Sequence, residues 1–303
     1  MTVALEPVAA APPQTPFQRI VSDFCETRLA VFGLVLVVLS AFIAIFAPLI
    51  SPQNPFDIAG LDLLDAKSPP GTVSSDGKIT YWLGTDGQAR DMLSAIFYGM
   101  RISLFVGFVS VLAALAIGVV VGLVAAYAGG RVDAVLMRAV DIMLSFPAIL
   151  VALILLSVLG KGIDKVLIAL ILVQWAYFAR AARAAALVER NKEYVEAATC
   201  LALPARRIVF RHMLPNCMPS LIVIATITLA RAIALEATLS FLGVGVPVTQ
   251  PSLGMLISNG FEFLLSGSYW ISFFPGVALA VAIIGINLAG DHLRDVLNPR
   301  NLR

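Results

Sequence analysis

Arg190-Asn191-Lys192-Glu193-Tyr194-Val195-Glu196-Ala197-Ala198, followed after fifteen residues by Leu214-Pro215-Asn216, is the stretch on which the fold turns. It is polar and basic, and apolar runs of membrane-crossing length lie on both sides. A helix-sized word in a basic loop between two such runs is placed to meet something outside the lipid.

Composition fixes the solvent around those runs. Of the 303 residues, 59% are hydrophobic and 13% charged, and the mean hydropathy is +0.92. Ordinary globular domains carry about 25% charged residues. The chain therefore reads as an all-α, polytopic membrane protein. A spanning helix needs about 20 apolar residues, and six stretches qualify: 29–50, 101–127, 138–159, 165–183, 218–241 and 270–290. Six transmembrane helices organise the chain as a cytoplasmic tail 1–28, a first transmembrane helix 29–50, an external loop with an interfacial helix over 51–100, a five-helix core 101–290 carrying the cytoplasmic loop 184–217, and a cytoplasmic tail 291–303.

Charge sets the expected orientation. With the N-terminus inside, 14 of the 21 Lys and Arg residues fall on the cytoplasmic side, among them Arg180, Arg183, Arg190, Arg206, Arg207, Arg211, Arg300 and Arg303. The positive-inside rule then puts both termini and residues 184–217 in the cytoplasm. Basic residues split by apolar spans make no nucleic-acid surface. Cys25, Cys200 and Cys217 form no CxxC pair, and all fall on the reducing side, so no disulfide is expected. His212 and His292 are far apart, which leaves no metal site. The run 29–50 is too deep and too long for a cleaved signal and reads as a retained helix. Residues 1–16, rich in Ala and Pro, read as a mobile tail.

Between the spans, 51–90 is long for a loop and is expected to hold structure of its own. Met92, Leu93, Ile96 and Phe97 follow helical spacing and predict a short interfacial helix before the second span. The segment 242–269 contains an apolar run suited to a re-entrant or surface helix. Tyr81, Trp82, Tyr269 and Trp270 fit an aromatic belt at the outer interface.

The basic loop has the local chemistry of a short helix. Glu196, Ala197, Ala198, Leu201 and Ala202 favour helix, Asn191 is a candidate N-cap, and Glu193 lies where the helix dipole welcomes an anion. Pro204 forces Leu203 out of the α region and ends the helix. So short a helix needs packing from neighbours or a partner. Small Ala197 and Ala198 admit close approach, and Glu196 is free to pair with a basic group. An ordinary charged loop would have the same composition.

Larger patterns decide between these readings. Glu196, Ala197, Ala198, Leu214 and Pro215 match the word Glu-Ala-Ala, three residues, Gly, then Leu-Pro; Ala202 stands where the glycine is expected, and Pro204 offers an alternative break. Further matches are Gly84-Thr85-Asp86 with Arg90-Asp91 (Ala89 replacing a usual glycine), Tyr98-Gly99 with Arg101-Ile102-Ser103-Leu104, and Asp141 with Phe146-Pro147. Glu236-Ala237 with Leu239-Ser240-Phe241-Leu242-Gly243 follows. The C-terminal match is Asn287-Leu288, Gly290-Asp291, Leu293-Arg294-Asp295 and Pro299-Arg300, with Asn298 where Asp is usual. Over residues 25–303 the chain resembles permease subunits of ABC importers of the dipeptide/oligopeptide/nickel branch. The resemblance implies a type I ABC-importer permease fold in a bacterial inner membrane. It implies a second homologous permease, two ABC ATPase subunits, an extracytoplasmic solute-binding protein and the surrounding membrane lipid as partners. It assigns ATPase coupling to Tyr194, Glu196, Ala197, Ala198, Ala202, Leu214 and Pro215. Peptides are the leading solute; nickel, glutathione and other small solutes are alternatives within the branch.

ATP chemistry is expected elsewhere. No Gly-x-x-x-x-Gly-Lys-[Ser/Thr] loop occurs in the chain, so no cofactor is expected on it, and ATP and Mg are assigned to the partner ATPases. Intramembrane polar residues frame the remaining alternatives. Glu236 either faces the translocation path or is a structural acid. Asp141 is placed to pair with Arg138, three residues earlier on one helical face. Gln174 and Asn287 are expected to hydrogen-bond between helices. A self-sufficient secondary transporter would call for several such acids, and a membrane-embedded enzyme for a His/Asp or Ser–His set within the spans; the sequence supplies neither.

Overall fold

The computed structural model describes residues 16–57 and 61–297. The tail 1–15 and the C-terminal positions Asn298, Pro299, Arg300 and Arg303 lie outside the described residues. The regular elements among the described residues are helices apart from one small hairpin. Helices α1 (Pro16–Glu26), α2 (Arg28–Ile50), α3 (Met92–Ala128), α4 (Gly130–Ser145), α5 (Ala148–Leu159) and α6 (Ile163–Arg190) precede the polar loop. The short α7 (Glu193–Cys200) and α8 (Ala205–Arg207) follow, then a π-helical segment (Ile208–Met213) that runs into α9 (Leu214–Phe241). The chain closes with α10 (Leu253–Phe261) and α11 (Trp270–Val296).

Five helical segments among the described residues are long and apolar enough to cross a membrane: Arg28–Ile50, Met92–Ala128, Ile163–Arg190, Ala205–Phe241 and Trp270–Val296. The stretch 138–159, expected as one spanning helix, is broken. It belongs to two helices, α4 and α5, bent by 86° and counted as a sixth span only if taken together. The break is at Phe146-Pro147, where Phe146 is extended (φ −98°, ψ 141°). Proline bars the preceding residue from the α region and removes a ladder donor.

Residues 92–99 also differ from expectation. They do not lie on the membrane surface but form the first turns of α3, a single helix of 37 residues. At 1.5 Å per residue it is about 55 Å long, well beyond the roughly 30 Å hydrocarbon layer. Met92, Ala95 and Ile96 are buried against Leu253, Leu256, Trp270 and Ile271 rather than facing lipid. Asp91 starts the helix, its carboxylate accepting from the Ser94 amide at 2.8 Å.

The segment before α3 is a folded cap. A two-residue antiparallel ladder pairs Thr72–Val73 (β1) with Thr80–Tyr81 (β2). Asp65 organises it: its carboxylate accepts from the Ser75 amide and from the Tyr81 hydroxyl at 3.0 Å. Arg90 and Asp86 form a buried ion pair at 2.6 Å. Trp270 donates from Nε1 to the Thr85 carbonyl at 3.1 Å. Of the four aromatics assigned to an interfacial belt, Tyr81 and Trp270 are therefore internal cap residues, while Trp82 and Tyr269 are exposed. Gly84 has φ +78°, and any Cβ there would strike Trp270 and the Ser68 carbonyl.

Small residues bring the spans together. Gly118 and Gly122, one turn apart on α3, lie against the α6 backbone at Trp175, Ala179 and Arg183. Lipid offers no hydrophobic drive between helices, so close backbone packing of this kind carries the association. Ion pairs reinforce the same region. Asp141 pairs across helices with Arg180 at 2.7 Å, not with Arg138 as helical spacing suggested. Arg183 likewise meets Asp133. At the start of the chain α1 is an ordered helix within the anticipated tail. Phe24 stacks edge-on against His292, with ring centroids 5.3 Å apart, and fixes α1 to the end of α11.

Candidate functional site

The polar loop folds as a rigid shelf at one end of the bundle. α6 ends at Arg190, whose guanidinium donates to the Ala126 carbonyl at the end of α3 at 2.8 Å. The anticipated Asn191 cap is not formed. Lys192 occupies the N-cap position without a side-chain cap bond, and its ammonium pairs with Glu189 at 2.6 Å. Glu189 also accepts from the Tyr194 hydroxyl at 2.7 Å, and that oxygen accepts from Asn216 at 3.1 Å. Burial and then the Glu189 carboxylate push the Tyr194 phenol above its usual range. Tyr194 thus ties the end of α6 to the start of α9.

α7 is split by helical geometry into two faces. Val195 and Ala198 are buried in a cluster with Leu123, Ala182, Ala186, Ile208 and Met213. Glu193, Glu196, Ala197, Cys200 and Leu201 are exposed. These five follow the i, i+3, i+4, i+7, i+8 pattern of one stripe. Ala197 and Ala198, read together as sites of close approach, therefore point in different directions. Ala198 packs inside its own chain, and Ala197 faces out beside Glu196.

The end of α7 corrects a second expectation. Pro204 does not make the turn. Ala202 itself takes the left-handed conformation, with φ +52°. The Ala202 amide donates to the Thr199 carbonyl at 2.9 Å and the Leu203 amide to the Ala198 carbonyl at 3.2 Å. That pair of bonds is the Schellman termination. Alanine stands where glycine normally sits, at a cost of roughly 1–2 kcal/mol. Ala89 repeats the pattern in the cap, with φ +61°. Both positions at which alanine replaces an anticipated glycine keep the glycine-like backbone.

Leu214 and Pro215 begin α9 directly after the π segment. Proline clashes with the carbonyl four residues earlier and has no amide to donate. A widened π turn just before it relieves both problems. Asn216 donates to the His212 carbonyl at 2.9 Å and closes the junction.

Glu236 lies far from this shelf, fully buried in α9. Its carboxylate accepts from Ser103 of α3 at 2.7 Å and from Ser240 at 2.8 Å. Ser103 Oγ in turn accepts a long bond from the Leu253 amide, 3.4 Å, at the start of α10. Glu236 therefore joins α3, α9 and α10 and has no surface of its own in this chain. Gln174 also departs from expectation, because neither its amide nitrogen nor its amide oxygen has a hydrogen-bond partner among the described residues. Glu189 and Asn216 carry no local pattern that marks them as partners of Tyr194. The exposed stripe was readable from helical spacing once α7 was placed.

Residues 118–303 match the family model of binding-protein-dependent transport system inner membrane components. Residues 15–70 match the N-terminal TM domain of oligopeptide transport permease C. The dipeptide transport system permease protein DppC of Escherichia coli (strain K12) is 41% identical over 293 residues, 97% of this chain and 96% of that protein. The oligopeptide transport system permease protein OppC of Bacillus subtilis (strain 168) is 38% identical over 277 residues, 91% of this chain and 87% of that protein. Among solved structures, an inward facing conformation of the MetNI methionine ABC transporter superposes with a TM-score of 0.57 at 22% identity. It covers 68% of this chain and 98% of that one, so the backbone has the type I ABC-importer permease fold.

Proposed function

The chain belongs to the family of binding-protein-dependent transport system inner membrane components, and on that premise we propose that it is a permease subunit of an ATP-driven importer of di- and oligopeptides. It is a transport subunit and not an enzyme. Curated relatives that match nearly its full length carry dipeptide and oligopeptide transport permease names, which supports peptides as the solute class.

The observation that carries the mechanism is the two-faced α7. Its inner face is locked into the bundle, and its outer stripe is free. A helix fixed in that way transmits a push to α6 and α9 rather than absorbing it. We assign the stripe to docking on an ATPase subunit. Each of two ATPases engages one permease, this chain or a second homologous one, and an extracytoplasmic binding protein delivers the solute. Closure of the ATPase pair on ATP then moves α7, and the spans rock between states open to either side. ATP and Mg belong to the ATPases, since this sequence holds no phosphate loop. The positive-inside distribution supports a bacterial inner membrane with both termini in the cytoplasm. The described residues between α2 and α3 then form an external cap.

The test is purification of the tagged chain from its native membrane in mild detergent, with mass spectrometry of the co-purifying proteins. Recovery of a second permease with one or two phosphate-loop ATPases is the expected result. A homo-oligomer free of ATPase, under conditions that keep a known ABC complex intact, would overturn the assignment.

A further inference from the structure

Arg231 is an anomaly for a span. It lies in α9, ten residues before Phe241, about 15 Å along the helix from that end. Its side chain is exposed, and it has no hydrogen bond or ion pair among the described residues. A cation held at that depth against lipid is costly, so such residues face a water-filled path or a protein partner. Lipid headgroups do not reach it, because the hydrocarbon layer is about 30 Å thick.

A second, independent oddity faces the same place. Gln174 lies eleven residues after Ile163 in α6, about 17 Å from the corresponding end, and so at the depth of Arg231. It is 5% exposed, and both polar atoms of its amide, closed to solvent in this conformation, lack partners among the described residues. Leaving a buried polar group unpaired costs about 1–3 kcal/mol, and native structures rarely tolerate it without reason. Arg231 and Gln174 line one cavity of about 310 Å³ between α5, α6 and α9, together with Tyr177 and Thr228. The Thr228 hydroxyl is already donated to the Ile224 carbonyl at 2.7 Å. The Tyr177 hydroxyl has no partner among the described residues. No acidic side chain lines the cavity; Glu236 is engaged by Ser103 and Ser240 instead.

The unused groups define a ligand. A guanidinium presents a planar fork that fits a carboxylate through two parallel bonds. A primary amide offers both donors and an acceptor, the complement of a peptide group. We propose that Arg231, Gln174 and Tyr177 form a carboxylate-receiving subsite on the translocation path, which holds the C-terminal carboxylate of a peptide in transit. The proposal rests on the peptide-importer reading. The contact is one-sided and wet, as a transit site must be if it is to release its solute.

The test uses the complete importer in proteoliposomes, with its binding protein and ATP, and compares uptake of trialanine with that of trialanine amide. Arg231→Gln is expected to lower the acid-to-amide uptake ratio about tenfold, the order of one lost charge-assisted contact. Arg231→Lys should keep much of the ratio, and Gln174→Leu should lower it about threefold. ATP hydrolysis stimulated by loaded binding protein should persist in all three. A second readout is independent of how the binding protein treats the amide. In a chain with native cysteines replaced by serine, trialanine should slow thiol modification of Ile227→Cys, and Arg231→Gln should remove that protection. Equal loss of acid and amide uptake, or loss of the partner permease from the complex, would assign Arg231 to an intersubunit ion pair and overturn the subsite. An unchanged ratio with unchanged protection would overturn it as well. A wild-type importer that hydrolyses ATP yet imports neither peptide would instead overturn the peptide reading, and the subsite with it.

Discussion

Val195 and Glu196 are neighbours in α7 with opposite tasks, and substituting each in turn separates docking of the helix from its use. Val195 is 4% exposed, in the cluster formed by α3, α6 and the α8–α9 junction. Val195→Ala removes two carbons. At about 0.8 kcal/mol each, with a modest term for the cavity left behind, the inner face loses about 2 kcal/mol. Eight residues of helix have almost no stability of their own, so this loss falls directly on the docked state. The undocked fraction should rise roughly thirtyfold, since 1.4 kcal/mol is a factor of ten. Glu196 is exposed, and Glu196→Lys should leave docking unchanged while reversing the charge offered to the ATPase. The assay is hydrogen exchange over residues 193–203 in the assembled importer, alongside uptake and ATP hydrolysis. Val195→Ala should speed exchange across α7 and weaken the coupling of hydrolysis to uptake. Glu196→Lys should keep wild-type exchange and membrane insertion but abolish uptake. Normal uptake in Glu196→Lys, or unchanged exchange in Val195→Ala, would refute the assignment of the two faces.

Three further outcomes follow from named contacts. Ala202→Gly should be tolerated, because glycine relieves a left-handed cost of roughly 1–2 kcal/mol and gives back about 0.4–1 kcal/mol through the freer unfolded chain. The thermal midpoint in nanodiscs should hold or rise slightly, whereas Ala202→Val should lower it. Glu236→Gln should preserve expression and uptake, since Ser103 and Ser240 can rotate to satisfy an amide. Glu236→Leu strands both hydroxyls at about 1–3 kcal/mol each and should lower folded yield in size-exclusion chromatography. Gly122→Leu places a side chain into the α6 backbone at Ala179 and Arg183, and should abolish the folded monodisperse species while Ile117→Leu on the exposed face of α3 does not.

The two alanines in glycine-like turns show how far local pattern carries. Motif spacing marked residues 89 and 202 as alanines at usual glycine positions, and the backbone keeps the left-handed geometry although the residue type argues against it. Surrounding hydrogen bonds hold it there: Asp86 binds the Gln88 and Arg90 amides in one case, and the Schellman pair closes the other. The tyrosine and tryptophan at 81 and 270 show the opposite. Their position at span ends suggested an interface, yet both are enclosed by a cap whose organiser, Asp65, carries no local signature.

Hydrocarbon content, the approximate position of the spans and the short helix in the basic loop are properties of contiguous residues, and the sequence by itself determined them. It also determined the family, because many motifs recur in order over nearly the whole chain. Tertiary structure alone decided which face of α7 is locked and which is free. It alone paired Asp141 with Arg180 rather than Arg138, buried Glu236 among serines from two helices, and left Gln174 and Arg231 unsatisfied around one cavity. Those outcomes depend on where side chains distant in sequence come to rest, 39 residues apart for Asp141 and Arg180 and 133 for Ser103 and Glu236. Only packing fixes that: in lipid every buried polar group must find its partner within the protein or its bound solute.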